Sequence, residues 1–166
     1  MFAITGTPGV GKSATAALLV GRLDRCVVAE MDLFTQPELD SDSQRMMAFF
    51  RSWLKLGAAV AQSGNHLVTA GFVRPQELES PPERALFSAI HYLVLTCGSQ
   101  QLTERIRRRQ RDGTLPAGDL EGLHALNQWF ETTTQEGVTV LDTSELTAED
   151  AAHFATRWIR DALGAS

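Results

Sequence analysis

Gly6-Thr7-Pro8-Gly9-Val10-Gly11-Lys12-Ser13 is the stretch whose reading decides the fold of this chain. It fits G-x-x-x-x-G-K-[ST] at every fixed position, the pattern of a loop that cradles phosphate. Its glycines let the backbone take positive φ and bring N–H groups close to an anion, and the helix that follows adds its positive end. On this reading Gly6 to Ser13, with Ala14 behind them, wrap the β- and γ-phosphates of a nucleotide. Lys12 supplies a mobile charge for the β/γ oxygens, and the Ser13 hydroxyl ligates Mg²⁺. The flanks agree: Phe2-Ala3-Ile4-Thr5 reads as a short buried strand and Ala14 to Leu23, rich in Ala and Leu, as a helix. Strand, loop and helix are the context the motif requires. A Gly-rich turn that binds nothing would leave Lys12 without a reason to stand at a helix start.

Outward from the loop, 166 residues suit a single domain with a substantial core. No apolar run reaches membrane-spanning length, and a first strand at Phe2 leaves no room for a targeting peptide, so the expectation is a cytoplasmic protein with no membrane partner. Cys26 and Cys97 fall in apolar strand-like runs and read as reduced core thiols. A net charge of −5 argues against a nucleic-acid partner. The lysines are Lys12 and Lys55 alone, and Arg105, Arg107, Arg108, Arg109 and Arg111 concentrate positive charge in one place.

Cys26 to Met31 reads as a second, buried strand ending at Asp32. Ser41 or Asp42 is placed to cap a long helix to about Ser63, with Met46, Phe50, Trp53, Gly57 and Val60 on one stripe. His66 to Ala70 is a third strand closed by Gly71. Ser80-Pro81-Pro82-Glu83 opens a short helix to about Ala89. Ile90 to Cys97 is a fourth strand, and Ser99 caps an Arg-rich helix from Gln100 to about Asp112. Pro116-Ala117-Gly118 reads as a joint, Leu120 to Glu131 as a helix and Val138 to Leu141 as a fifth strand. Thr147-Ala148-Glu149-Asp150 approximates a capping box for a last helix ending near Gly164. Alternation of this kind implies an α/β domain: a five-stranded parallel sheet with right-handed crossovers and helices on both faces. Ligands then gather at the carboxyl ends of the strands, which selects the loop, Asp32, Gly71 to Arg74, Gly98-Ser99 and Asp142-Thr143-Ser144.

Three groups there carry chemistry. Glu30 and Asp32, at i and i+2, point to one face if the strand continues through both. One would hold Mg²⁺ through water while the other takes a proton from a substrate hydroxyl. We assign the metal to Ser13 and Glu30 and the base to Asp32, with Glu30 the alternative base. On the Arg-rich helix Leu102 and Ile106 face inward, which leaves Arg105, Arg108 and Arg109 on a neighbouring face and Arg107 and Arg111 in solvent. Arg stacks on bases and forks onto phosphates, and a movable Arg-bearing lid brings charge in on closure. Arg74, before Pro75, is a candidate for gripping a polar or anionic substrate. Gly71, Phe34, Phe50 and Trp53 complete the candidate substrate wall, although helical spacing equally places such aromatics in a core.

With these residues in view, the chain resembles the P-loop small-molecule kinases: the nucleoside-monophosphate kinase superfamily with shikimate kinase, gluconate kinase and chloramphenicol phosphotransferase. The likeness runs from Phe2 to about Ala162. It implies a three-layer P-loop NTPase fold with strand order 2-3-1-4-5, one domain over residues 1–166, an Arg-bearing lid at about 105–128 and an acceptor region at about 33–64. Glu30-x-Asp32 is similar to the D-x-D of shikimate kinase, whose second acid holds the acceptor hydroxyl. Leu102-x-x-Arg105-x-x-x-Arg109 is similar to the start of the family's lid, where the first Arg stacks on the base and a later one reaches the phosphates. Leu141-Asp142-Thr143-Ser144 resembles the loop that passes the base, which makes Thr143 and Ser144 nucleotide contacts. The implied reaction moves the γ-phosphoryl group of ATP or GTP, with Mg²⁺, to a hydroxyl of a nucleoside, nucleotide, sugar-like metabolite or antibiotic. Lys12, Asp32 and Arg109 are then the catalytic residues, in a monomer or homodimer. The chain departs from the family in having Glu at 30 and in ending its third strand Val68-Thr69-Ala70-Gly71, without a Walker B acid.

The rival reading is an NTP-hydrolysing switch or a nucleotide-binding module with no small-molecule acceptor. A GTPase needs N-K-x-D, and Asn65 and Asn127 are followed by His66 and Gln128. Asp119-Leu120-Glu121-Gly122 matches D-x-x-G but lies beyond the fourth strand. An AAA-type ATPase shares a GTPGxGK loop, yet it needs a Walker B Asp-Glu pair and a helical lid domain, for which the chain is too short.

Overall fold

The structure, a computed structural model, describes residues 1–34, 43–115, 119–133 and 137–164. The proposed Ser41/Asp42 cap, residues 35–42 of the acceptor region and the Pro116-Ala117-Gly118 joint lie outside them. Five strands, β1 (Phe2–Thr5), β2 (Cys26–Glu30), β3 (His66–Ala70), β4 (His91–Thr96) and β5 (Val138–Asp142), pair in parallel in the order β2-β3-β1-β4-β5. The helices are α1 (Lys12–Leu19), α2 (Ser43–Gln62), α3 (Pro75–Glu79), α4 (Ser99–Arg111), α5 (Leu120–Glu131) and α6 (Ala148–Gly164). Strand order, parallel pairing and the alternation of elements are those expected from the sequence.

The two-residue period of the strands divides the core into two layers. Phe2 and Ile4 of β1, Val68 and Ala70 of β3, and Leu93 and Leu95 of β4 pack with Leu19 of α1, Leu102 and Ile106 of α4, and Ile159 of α6. Ala3, Leu67 and Tyr92 point the other way, onto Phe50, Trp53 and Leu54 of α2 and Leu78 of α3. The central strands are buried on both faces, which is why they read as unbroken apolar runs. Arg51 of α2 forks onto Glu83 at 3.0 Å to each carboxylate oxygen, and that guanidinium holds the Glu83 carboxyl down to about 2.

Four local expectations are corrected. α1 begins at Lys12 and stops at Leu19, short of Leu23. The helix expected from Ser80 to about Ala89 is only a short 3-10 turn over Pro82–Leu86, and α3, not expected, precedes it. Pro75 fits the first helical position, and Glu77 reaches back to accept the Arg74 N–H at 2.6 Å, while Pro81-Pro82 prevents one continuous helix. Gly98, not Ser99, occupies the cap position of α4. Asp32 lies past the end of β2, in a 3-10 turn over Asp32–Phe34, so the shared-face argument for Glu30 and Asp32 does not apply. The capping box of α6 is made by Thr147 and Asp150, each bonding the other's backbone N–H.

Buried Asn127 of α5 was not singled out by the sequence for any structural role. Its Oδ1 accepts the Cys97 N–H at 3.2 Å and its Nδ2 donates to the Cys97 carbonyl at 2.9 Å. One side chain thus satisfies both backbone groups just beyond β4 and pins α5 to the ligand edge of the sheet. Asn127→Ala strands both groups and is expected to lower stability by about 1–3 kcal/mol, a fall in melting temperature on the order of 5 °C. Thermal melts beside the exposed neighbour Gln128→Ala check this; equal melting points for the two variants would contradict the anchoring role.

Candidate functional site

The phosphate loop joins β1 to α1 with Gly6, Gly9 and Gly11 at φ of 141°, 95° and 105°. A Cβ on Gly6 would stand 2.2 Å from the Leu95 carbonyl oxygen, so this path against β4 excludes any side chain there. The described backbone bonds of the loop are Val10 N–H to Thr7 O and Thr15 N–H to Gly11 O. The amides of Gly9, Gly11, Lys12 and Ser13 have no acceptor among the described residues. Unpaired donors at a helix start form an anion cradle.

Lys12 is 7% exposed, and its ammonium donates to the carbonyls of Gly6 at 2.9 Å and Thr7 at 3.3 Å. Burial lowers its pKa to about 8; Asp32 and Glu30 counter that shift and Arg109 adds to it. Two stretches far apart in sequence therefore act on one buried charge. The Asp32 Oδ1 accepts the Phe72 N–H at 2.7 Å, which ties the turn after β2 to the loop after β3. Gly71 permits this approach: a Cβ there would lie 2.7 Å from the Met31 Cβ and 2.8 Å from the Asp32 Oδ1. Thr5 exchanges hydrogen bonds with Val73, its hydroxyl donating to the carbonyl at 2.6 Å and accepting the N–H at 3.1 Å.

Ser13 and Ala14 are exposed in the first turn of α1, and Glu30 is half-buried at the end of β2. An exposed hydroxyl and one nearby carboxylate suit Mg²⁺, which keeps several waters and takes its remaining ligands from substrate phosphates.

Over the loop lies α4. A Cβ on Gly9 would meet Leu102 and Ile106 at 3.3 Å each, so the Arg-bearing helix packs directly on the phosphate cradle. Arg105 donates to the Thr143 hydroxyl at 3.1 Å and carbonyl at 2.7 Å. The Thr143 hydroxyl is also within hydrogen-bond distance of the carbonyls of Val10 (2.9 Å) and Thr96 (2.8 Å). The Ser144 hydroxyl accepts the Gly98 N–H at 2.7 Å. Arg105, Thr143 and Ser144 thus meet beside the phosphate loop. Arg109 is half-buried and donates to the Thr114 carbonyl at 3.1 Å. Arg107 and Arg111 are exposed, and so is Arg108, which had been grouped with Arg105 and Arg109.

The aromatic candidates divide. Phe50 and Trp53 are core residues at 3% and 5% exposure, and the Trp53 indole donates to Thr69 at 2.8 Å. Phe34 is exposed against Trp53, with ring centroids 5.5 Å apart. Arg74 lies at a cavity of about 620 Å³ between α3 and α5, which it lines with Gln76, Glu77, Gly122, Leu126 and Trp129. Its guanidinium stands 5.8 Å from the Phe72 ring and 5.7 Å from the Trp129 ring. The sequence reading missed Trp129 and Glu77. The signal was there: Gly122, Leu126 and Trp129 fall at i, i+4 and i+7, one face of a helix. Asp119-x-x-Gly122 is the start of α5, with Asp119 at the cap position.

No described helix is long and apolar enough to cross a membrane. No curated protein matches the sequence. Among solved structures, a sugar kinase from Janibacter sp. HTCC2649 has a TM-score of 0.68 at 18% identity, covering 96% of this chain and 93% of that one. The tunicamycin resistance protein of Deinococcus radiodurans has a TM-score of 0.69 at 18% identity, covering 95% and 94%. A gluconokinase from Sinorhizobium meliloti 1021 has a TM-score of 0.65 at 14% identity, covering 98% and 94%. Residues 3–121 match the AAA_18 family, described as an AAA domain. Thr69-Ala70-Gly71 carries no acidic pair after β3. The chain belongs to this AAA domain family and has the α/β fold of the P-loop small-molecule kinases.

Proposed function

We propose that the protein transfers the γ-phosphoryl group of ATP or GTP to a hydroxyl of a small molecule. The observation that carries this reading is the Asp32 carboxylate, held by the Phe72 N–H at 2.7 Å at the ligand edge of the sheet, where it counters the lowering by burial of the Lys12 ammonium's pKa. The fold neighbours titled sugar kinase and gluconokinase support the same reading.

On this account the amides of Gly9 to Ser13 bind the β- and γ-phosphates, and Lys12 leaves the loop carbonyls for the γ-phosphate oxygens. The Ser13 hydroxyl and, through water, Glu30 would hold Mg²⁺, which would supply charge neutralisation on the phosphates. Asp32, fixed by the Phe72 N–H, accepts the hydrogen bond of the acceptor hydroxyl and holds its oxygen in line with the γ-phosphorus. The transition state is loose, so positioning outweighs early proton removal. Arg109 adds charge on the phosphates, and Arg105 closes on the base beside Thr143 and Ser144. The movable lid lies within 105–128, with Asn127 as its anchor.

Asp32→Asn keeps an oxygen for the Phe72 N–H and removes the anion. Turnover should fall by about 10²-fold or more while nucleotide affinity holds within a few-fold. Loss of nucleotide affinity with normal turnover at saturation would instead put Asp32 in the metal shell and make Glu30 the base.

Lys12 sets a pH dependence. Transfer needs the ammonium, so kcat/KM should decline as pH rises through about 8 in the free protein. Its folded pKa lies below the unfolded value, so the unfolded chain binds more protons between the two. This group's burden on stability is therefore full below about 8 and is relieved as pH rises from there toward 10.5, a change on the order of 3 kcal/mol. Lys12→Met should abolish transfer, about 10²–10³-fold or more, yet melt no lower than wild type at pH 7. A lower melting point would show that the buried charge stabilises the fold.

Along α4, alanine substitutions should reduce nucleotide affinity and turnover most at Arg105 and Arg109 and least at Arg107 and Arg111. Uniform small effects would make the helix a solvated basic face.

A further inference from the structure

We propose that the cavity between α3 and α5 is the acceptor site and that it selects an uncharged, ring-bearing polyol over phosphorylated or carboxylated relatives. The proposal rests on the phosphotransferase reading and deepens it. Two contacts link the cavity to the candidate base: Arg74 on its wall stands over the ring of Phe72, and the Phe72 amide is bonded to Asp32. Its volume, about 620 Å³, suits a sugar or nucleoside.

The walls divide by chemistry. Trp129, 37% exposed, and Leu126 offer an apolar platform for the C–H face of a ring. Gln76 and Glu77 offer groups that pair with hydroxyls. Charge decides the rest. Arg74 is the cation lining the cavity, and it is already engaged: its guanidinium lies 3.9 Å from Glu77 and faces two aromatic rings. An entering phosphate or carboxylate would displace Glu77 from Arg74 and face Glu77 as a like charge. An uncharged polyol meets the same carboxylate as a hydrogen-bond acceptor. Arg74 thus serves as a scaffold for Phe72 and Trp129, which replaces its expected role in gripping an anion.

The test is calorimetric titration of the full chain saturated with Mg-ADP, so that the phosphate loop is occupied. The probes are glucose against gluconate and glucose 6-phosphate, and uridine against uridine 5′-monophosphate. The neutral member of at least one set should bind at least 10-fold tighter than its charged counterparts. Trp129→Leu should weaken that neutral probe at least 10-fold with Mg-ADP affinity intact. Glu77→Gln, which keeps an acceptor for the Arg74 N–H, should narrow or reverse the preference. Tighter binding of a charged member to wild type, no binding by either set, or indifference to Trp129→Leu would overturn the proposal. Phosphorylation of a charged member alone would sink this inference and leave the kinase reading standing. Selective neutral binding without phosphorylation would do the reverse.

Discussion

Lys12 holds an ammonium at 7% exposure, donating to two carbonyls of its own loop. A buried cation is unfavourable unless opposite charge or dipoles meet it, and the elements around it are disposed to that end. β1 delivers the loop with Thr5 latched to Val73. β2 ends in Glu30, and the turn after it sets Asp32 against the loop after β3. Arg109 of α4 works against the ammonium in the free protein, in the same sense as burial. A polyphosphate would meet that charge. Binding energy for the nucleotide and instability of the empty site have the same origin.

Much of this was legible in the sequence because the signals are local. The loop motif, the five strands and the Arg-rich helix each announce themselves within a dozen residues, although β2, expected to be buried, is an edge strand with no buried residue. Leu102 and Ile106 follow from helical spacing, and so does the exposure of Arg107 and Arg111. The sequence failed where a tertiary contact overrides a local rule. Asp32 was argued from strand alternation, yet it sits in a 3-10 turn fixed by an amide forty residues away, with Gly71 making room. The helix at Pro75–Glu79 was missed because Arg74-Pro75-x-Glu77 is a capping box without the usual Ser or Thr. Trp129 was passed over because its partner Arg74 comes from the loop after a different strand. Asn127 bonds to a backbone segment, and no side-chain pattern in the sequence marks such a partner.

The same contacts limit which parts can move. Ile106 is buried under the loop, and Asn127 and Phe130 fix the second half of α5 to the sheet. Thr103 and His124 bridge α4 and α5 within 2.9 Å, so the two helices share one contact that any closing motion must carry or break. The α5 residues facing the cavity, Gly122, Leu126 and Trp129, flank the Asn127 anchor on the same helix. On the proposed function, nucleotide closure and acceptor capture would share that helix.

The central claim is that the γ-phosphoryl group goes to an acceptor hydroxyl and not to water. Its most direct measurement follows the label of γ-³²P-ATP and γ-³²P-GTP through the purified chain across nucleosides, nucleotides, sugars and hydroxylated antibiotics. The account predicts slow release of inorganic phosphate by the chain alone and a labelled organic product, formed much faster, with the right acceptor. Hydrolysis to inorganic phosphate at one rate whatever acceptor is present, with no labelled product, would contradict it and make the protein a nucleotide-hydrolysing switch.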